Sequence, residues 1–330
     1  MARAYYPRLA LILVVGALLL SLPQFGHADE NNSDVGTSAF NFLKIEVAAR
    51  PIAMGGAFTG VADDESSLFY NPAGLATLSG RRLIFGYHNY IFDMQAGFLG
   101  YIHPIGAKQT VSVFADYLNY GEFVRADDAG VPDGTFSGSD ILFGVGYSRA
   151  ITDDISVGGD VKLIYEKIDE YSSSGFAVDV GGKYVLPDRR TSFGLSIMNL
   201  GTQFSTFIEG AEKDQLPLLI RAGASSRLEG LPLLVAADVI YPTDNDFYFA
   251  FGLEYLEVKP LFLRIGWTSF GENYKTGSSK DNLSGFSAGF GVDVSDFLSF
   301  HRMQISYALT PQAELGTSHR VTLSGGFDPL

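Results

Sequence analysis

The stretch Phe247–Tyr255, FYFAFGLEY, alternates between two kinds of side chain. Every second position is a large apolar residue, and the positions between them carry Tyr, Ala, Gly and Glu. Such a period of two is typical of a β-strand whose two faces meet different surroundings. The stretches 286–294 (FSAGFGVDV) and 155–166 (ISVGGDVKLIYE) follow the same pattern. The chain is therefore expected to be built from strands with one apolar face.

The same pattern marks fourteen runs along the chain. They lie near 81–90, 93–103, 109–120, 138–150, 155–167, 174–186, 191–199, 216–227, 232–241, 247–257, 261–269, 283–294, 300–309 and 317–327. Most have the length of about 9–11 residues that a tilted strand needs to cross a bilayer. The apolar face is rich in aromatic residues, as in the aromatic girdles of outer-membrane barrels.

The other face of these runs combines small residues with charges of both signs, which suits a hydrated lumen. The charges expected to face the lumen are Asp160, Lys162, Asp179, Lys183, Asp238, Glu254, Arg264, Asp293 and Arg302. The connections between runs alternate between short and long, and the longest predicted loops are 121–137 and 200–215. An all-β, 14-stranded antiparallel transmembrane barrel of the outer-membrane type explains both features. The alternatives are a soluble β-sandwich or propeller, but a sandwich has shorter strands and no blade-length repeat is visible.

The composition excludes several classes of function. The 330 residues include 38 Gly, 26 Phe, 17 Tyr and no Cys, and only 18% are charged. Without cysteine there is no thiol nucleophile, thiolate metal site or disulfide. The formal net charge of −14 argues against nucleic acid as a partner, because a phosphate backbone needs a basic surface.

The N-terminus predicts export. Arg3 and Arg8 precede the apolar run 9–22, and Gly26 and Ala28 offer small residues for cleavage. This is the layout of a secretory signal peptide, with an uncleaved anchor as the alternative. The expected organisation is a signal peptide at 1–28, an N-terminal periplasmic or plug segment at 29–80 and the barrel at 81–330.

Residues 36–80 do not alternate, and we expect them to fold inside the barrel as a plug. Asp63 or Asp64 is suited to cap a short helix, and Asn71-Pro72 to end it. Gly55, Gly56 and Gly60 permit tight turns and close approach to a wall.

The run from Arg50 to Leu75 resembles the N-terminal signature of the PorV/PorQ family of outer-membrane proteins. This family is similar to the FadL-type long-chain fatty-acid transporter superfamily, which shares the Gly-Gly-Ala-Phe, Asp-Asp and Asn-Pro-Ala-Gly elements. Residues 315–323 (LGTSHRVTL) resemble the last strand of PorV-like barrels. The resemblance implies a fourteen-strand barrel with an N-terminal plug. The modest, polar loops differ from the large outer loops of fatty-acid transporters.

The candidate site residues lie in the expected plug. The plug or gating candidates are Arg50, Pro51, Gly55, Gly56, Asp63, Asp64, Asn71, Pro72 and Gly74. For Asp63, Asp64 and Asn71, two roles are open: gating through bonds to the wall, or simple capping. The run 55–60 lacks the lysine of a phosphate loop, and the histidines are scattered, so we expect no enzyme activity, metal or cofactor.

Two functions follow as hypotheses. The first is passive passage of small hydrophobic compounds through a plugged, FadL-like barrel in the outer membrane of a diderm bacterium. The alternative is a non-transporting accessory or shuttle of a type IX-like protein secretion system. The expected partners are outer-membrane lipid and lipopolysaccharide, with a hydrophobic ligand in the first case and secretion components or secreted cargo in the second.

Overall fold

The computed structural model describes residues 36–257, 260–295 and 301–327. Within them, fourteen antiparallel strands form one closed barrel, which confirms the predicted fold class. The strands are β1 (Arg82–Asn89), β2 (Gln95–Pro104), β3 (Gln109–Ala126), β4 (Pro132–Ala150), β5 (Ile155–Ile168), β6 (Tyr171–Val185), β7 (Thr191–Ser205), β8 (Leu219–Arg227), β9 (Leu233–Pro242), β10 (Tyr248–Tyr255), β11 (Leu261–Thr268), β12 (Phe286–Asp293), β13 (His301–Pro311) and β14 (Thr317–Gly326). Residues 1–28 lie outside the described residues, so the signal peptide stays a prediction.

Each strand pairs with its neighbours in sequence, and β1 closes the barrel against β14. This seam runs from the pair Arg82 and Gly326 to the pair Asn89 and His319. Closure leaves no open edge, as a lipid environment requires.

The period-two pattern sets which side chains face outward. In β1, Phe85 is 54% exposed, whereas its neighbour Ile84 is fully buried. The same alternation continues through β4 and β5, where Phe143, Val145 and Leu163 are outward and exposed. Large apolar side chains therefore cover the exterior, as in barrels that contact lipid.

The segment before β1 is compact and non-strand. It contains the helix α1 (Ala49–Ala53) and 3₁₀ turns at Asn41–Lys44, Glu65–Phe69 and Pro72–Thr77. Further 3₁₀ turns lie in the loops at Ile91–Asp93, Ser269–Tyr274, Ser279–Leu283 and Ala313–Leu315. None of the helices in the described part of the chain is long and apolar enough to cross a membrane.

Two predicted loops are shorter in the structure, because strands extend into them. The predicted loop 121–137 is the extended end of the β3–β4 hairpin, with a turn at 127–131. Asp127 Oδ1 accepts hydrogen bonds from Ala129 N and Val131 N at 2.9 Å, and Gly130 has a φ of 78°. The predicted loop 200–215 shortens in the same way, because β7 continues to Ser205.

Candidate functional site

The N-terminal segment, residues 36–80, contacts inward-facing side chains around the whole barrel. The Asp238 carboxylate of β9 accepts hydrogen bonds from Phe58 N at 3.1 Å and Thr59 N at 2.9 Å. On β12, Ser287 Oγ accepts a hydrogen bond from Gly55 N at 3.1 Å.

The second half of the segment is bonded to the other side of the wall. Ser148 Oγ of β4 donates to Pro72 O at 2.6 Å, and Lys183 Nζ of β6 donates to Ala62 O at 2.8 Å. The segment is therefore hydrogen-bonded to inward-facing residues of strands on opposite sides of the barrel.

The largest ion cluster at this contact is centred on Arg50, which is 11% exposed. Its guanidinium donates to Asp63 at 2.6 Å, to Asp64 at 2.8 Å and to both carboxylate oxygens of Glu254 at 3.0 and 2.7 Å. Arg264 Nε donates to the same Glu254 at 2.6 Å. Burial acts to raise the pKa of Asp63, but Arg50 and the nearby cations outweigh it and lower this pKa to about 2. The cluster ties α1 and the turn at 63–64 to β10 and β11.

Asn71 is a second anchor and is fully buried. Its Nδ2 donates to Thr59 O and to Gly182 O, both at 3.0 Å, and its Oδ1 accepts from Ala73 N at 3.2 Å. Asn71 thus caps the turn at Pro72–Thr77 and also touches β6. Asp64 caps the preceding turn, accepting from Ser66 N at 2.7 Å.

The remaining predicted residues of the segment allow close packing. Pro51 is buried in α1. Gly55 and Gly56 have φ of 69° and 84°, and a Cβ on Gly55 would lie 2.6 Å from Trp267 N. A Cβ on Gly74 would lie 2.3 Å from Ala62 O.

Glycines of the wall form a recess around the segment. A Cβ on Gly266 of β11 would lie 1.9 Å from Gly55 N, and one on Gly194 of β7 would lie 2.0 Å from Thr59 O. Backbone atoms of the segment also lie close to Gly158 and Gly252 on two other strands. The high glycine content of the inward face therefore lets two backbones approach each other.

Of the nine predicted lumen charges, seven are buried inward: Asp160, Lys162, Asp179, Lys183, Asp238, Glu254 and Arg264. Asp293 is half-buried and accepts a hydrogen bond from Ser295 N at 3.0 Å. Arg302 differs from the prediction, because it is exposed at a bulge between His301 and Gln304 with a φ of 55°.

A cavity of about 290 Å³ lies between the N-terminal segment and the loops at the end of the barrel where β1 ends. Apolar side chains form part of its lining, among them Phe69, Phe114, Leu142, Met198 and Leu219. Polar side chains form another part, among them Tyr70, Tyr90, Arg221, Gln312 and Arg320.

Among the polar lining residues, Lys162 is one of the predicted lumen charges, whereas Tyr70, Tyr90, Arg221, Gln312 and Arg320 are absent from the sequence-based candidates. Arg221 is the inward position of an alternating run, and Arg320 belongs to the C-terminal motif. The alternation of inward and outward residues could therefore have marked both arginines as inward-facing. That both line one cavity depends on how the N-terminal segment folds.

Cation ligands are not grouped in the described residues. No cluster of three or more His, Asp or Glu side chains there has the geometry to hold a metal ion.

Comparisons with known proteins give the fold. No protein-family model and no curated protein matches the chain. A TodX mutant described as a monoaromatic hydrocarbon channel superimposes with a TM-score of 0.57 at 16% identity, covering 85% of this chain and 99% of that one. The Pseudomonas putida toluene transporter TodX gives 0.57 at 13% identity, covering 86% and 100%.

A Pseudomonas aeruginosa FadL homologue gives a TM-score of 0.54 at 12% identity, covering 86% of this chain and 98% of that one. The barrel has the fold of these FadL-type channels. The expected FadL-like architecture is confirmed at this level, and the finer PorV/PorQ resemblance gains no support from these structures. The two TodX structures are described as a hydrocarbon channel and a toluene transporter.

Proposed function

We propose that this protein is an outer-membrane channel for the passive passage of small hydrophobic compounds, with residues 36–80 as its plug. The observation that carries the proposal is the partly apolar cavity between this segment and the loop end of the barrel. Enclosed, partly apolar cavities with a few polar groups are the usual form of small-molecule sites. The toluene transporter TodX, which shares the fold, supports the same ligand class.

The direction of entry follows from the placement of the segment. Its ion cluster at Arg50 and Glu254 lies toward the end with short turns, whereas the cavity adjoins Tyr90 and Gln312 at the opposite end. An even strand number puts both chain ends on the same side, and the short turns of outer-membrane barrels face the periplasm. The ligand then enters from the exterior and meets the segment beneath the cavity.

The irregularity between β6 and β7 is the proposed place of a sideways exit. Val178 pairs with Leu200 and Val180 pairs with Ile197. Asp179 on β6 therefore stands opposite two residues of β7, Met198 and Asn199. Asn199 has a φ of 63°, and its backbone N donates to the Asp179 carboxylate at 2.8 Å rather than to a backbone oxygen. An apolar ligand gains free energy by leaving into lipid and not into water. Deletion of Asn199 would restore the alternation of β7, and we expect it to lower uptake while the barrel still folds.

The proposal is tested by uptake of toluene in cells with a lipopolysaccharide outer membrane, read by a cytoplasmic toluene-responsive reporter. Met198 is inward and lines the cavity, whereas Leu200 on the same strand is outward and 58% exposed. We expect Met198→Trp to fill the cavity and reduce uptake, and Leu200→Trp to leave it at the wild-type rate. Equal uptake by wild type, Met198→Trp and cells without the protein would refute the transport function.

The second candidate, an accessory of a type IX-like secretion system that contacts secreted cargo, rests on the resemblance of residues 50–75. The projecting β3–β4 hairpin favours it, because Phe123 and Val124 there are 41% and 67% exposed. Purification from detergent with secretion components or cargo attached would support this function. Recovery of the barrel alone from a strain that contains such a system would oppose it.

A further inference from the structure

Two buried carboxyl groups face each other at the irregularity between β6 and β7. Asp160 of β5 is the register partner of Asp179 of β6, and the two residues are 5% and 0% exposed. Lys162 Nζ lies 2.5 Å from Asp179 Oδ2 and is the cation of this site. Asp160 has no ion-pair partner in the described residues, and its Oδ1 accepts no hydrogen bond there. One lysine thus serves two carboxyl groups.

Among the described residues, the other elements packed against Asp160 offer no second cation. Its register partner on β4 is Gly146, which has no side chain. The residue opposite Gly146 on β3 is Ser112, whose hydroxyl lacks a hydrogen-bond partner in the described part of the chain. The turn Pro72–Thr77 of the N-terminal segment packs on β5 and contains no ionisable residue. These elements are therefore uncharged beside Asp160.

The remaining charged groups nearby are bonded elsewhere or are themselves acidic. Lys183 faces inward on β6, but its Nζ donates to Ala62 O of the N-terminal segment at 2.8 Å. Asp116 on β3 interacts electrostatically with Lys162 and adds a further negative charge to this wall. A buried carboxylate without a partner is costly, and two carboxylates that share a site do not both ionise readily. A proton on Asp160 removes the unpaired charge.

The same lysine holds the irregularity in place. Lys162 Nζ donates to Asn199 Oδ1 at 2.9 Å, and Asp179 Oδ1 accepts the hydrogen bond of Asn199 N at 2.8 Å. Asn199 is 1% exposed and has a φ of 63°, so its backbone depends on these contacts. Lys162 also lines the cavity. A shift of Lys162 from Asp179 toward Asp160 would therefore release the backbone at the proposed exit.

We propose that Asp160 is a pH-sensitive switch that controls the irregularity between β6 and β7. The inference rests on the proposed sideways exit and adds its regulation. While Asp160 carries a proton, Lys162 stays on Asp179 and Asn199 and holds the wall in the observed arrangement. Loss of the proton to solvent places a second carboxylate beside Lys162. The lysine then moves toward Asp160 and leaves Asn199 Oδ1 without its donor, so passage through the exit increases as the pH rises.

The test uses a nitroxide label, which can be placed at single chosen positions because the chain has no cysteine. Leu200→Cys puts the label beside Asn199 on the outward face, where Leu200 is 58% exposed. Val239→Cys is the matched control, because Val239 is an outward residue of β9 that is 46% exposed and pairs with β10. Electron paramagnetic resonance measures the mobility of each label on the full chain in detergent, between about pH 5 and 9.

We expect the label at position 200 to become more mobile as the pH rises, whereas the label at position 239 keeps one mobility. Asp160→Asn has no proton to lose, so it should hold the label at position 200 in the less mobile state throughout. Asp153→Asn is the control for this substitution, because Asp153 lies in the exposed turn between β4 and β5, and it should keep the full response. A label at position 200 that ignores pH, or that responds equally after Asp160→Asn, would overturn the switch.

The titration of the two labelled proteins leaves Asp160 intact, so it tests the switch even if Asp160→Asn does not fold. Toluene uptake at about pH 6 and 8, relative to cells without the protein, separates this inference from the transport proposal. We expect uptake to be several-fold faster at the higher pH. Uptake without this increase would overturn the control of passage. If uptake fails while the label at position 200 still responds through Asp160, the transport proposal falls and the switch stands.

Discussion

Substitution of Gly266 by alanine tests whether the packed N-terminal segment blocks the barrel. The added Cβ would lie 1.9 Å from Gly55 N and 2.2 Å from Met54 C, whereas ordinary contacts begin at 3.4 Å. Both atoms are backbone, so no side-chain rotation relieves the clash, and the segment must move from β11 by about 1.5 Å. Overpacking of this kind costs about 1–3 kcal/mol of the free energy of unfolding.

Two measurements follow for Gly266→Ala: the unfolding free energy in detergent and the single-channel conductance in planar bilayers. We expect lower stability together with more frequent open events, because the segment is displaced from its recess. Gly182→Ala is the control, since a Cβ there has nothing within 4 Å. Wild-type stability and conductance in Gly266→Ala would refute the described packing. Reduced stability with unchanged conductance would refute the blocking role alone.

Three further predictions concern the anchors of the segment. Arg50→Gln should cost roughly 3 kcal/mol of unfolding free energy, because it leaves buried carboxylates such as Glu254 with fewer partners, and a denaturant titration measures this loss. The pKa of Asp63 is lowered from 3.8 to about 2, so its ion pairing stabilises the fold fully above pH 3.8 and loses this effect as the pH falls through 2. Stability should therefore be insensitive to this group from pH 8 to 5, and Asp63→Asn should remove part of the loss measured below pH 4. Asn71→Ala removes the hydrogen bonds to Thr59 O and Gly182 O and should cost about 1–3 kcal/mol, seen as a lower midpoint of heat-induced unfolding on gels. An unchanged midpoint would contradict the anchoring role of Asn71.

The sequence predicted the barrel because lipid and lumen impose opposite demands on neighbouring residues. Where both faces of a strand meet water, that signal disappears. Residues 122–126 and 132–135 are exposed at nearly every position, so the hairpin extension of β3 and β4 carries no alternation. A loop was therefore predicted where the backbone continues to pair.

The capping contacts could be predicted from the sequence because they join residues close together in the chain. Asp64 and Asn71 each bond a backbone N–H two residues ahead, a contact that depends on sequence spacing alone. The cavity is different, because Arg221 and Arg320 come from strands on nearly opposite sides of the barrel. Their convergence with Tyr70 depends on how deeply the segment sits, which no local pattern records.

The seam between β1 and β14 has a consequence for how the molecule is assembled. The segment precedes β1 directly in the chain and is hydrogen-bonded to inward-facing residues of several strands. Insertion of some forty folded residues into a barrel that has already closed would require the contacts of Arg50 and Asn71 to break first. We therefore expect the segment to bind the still open sheet first, and β1 and β14 to pair afterwards.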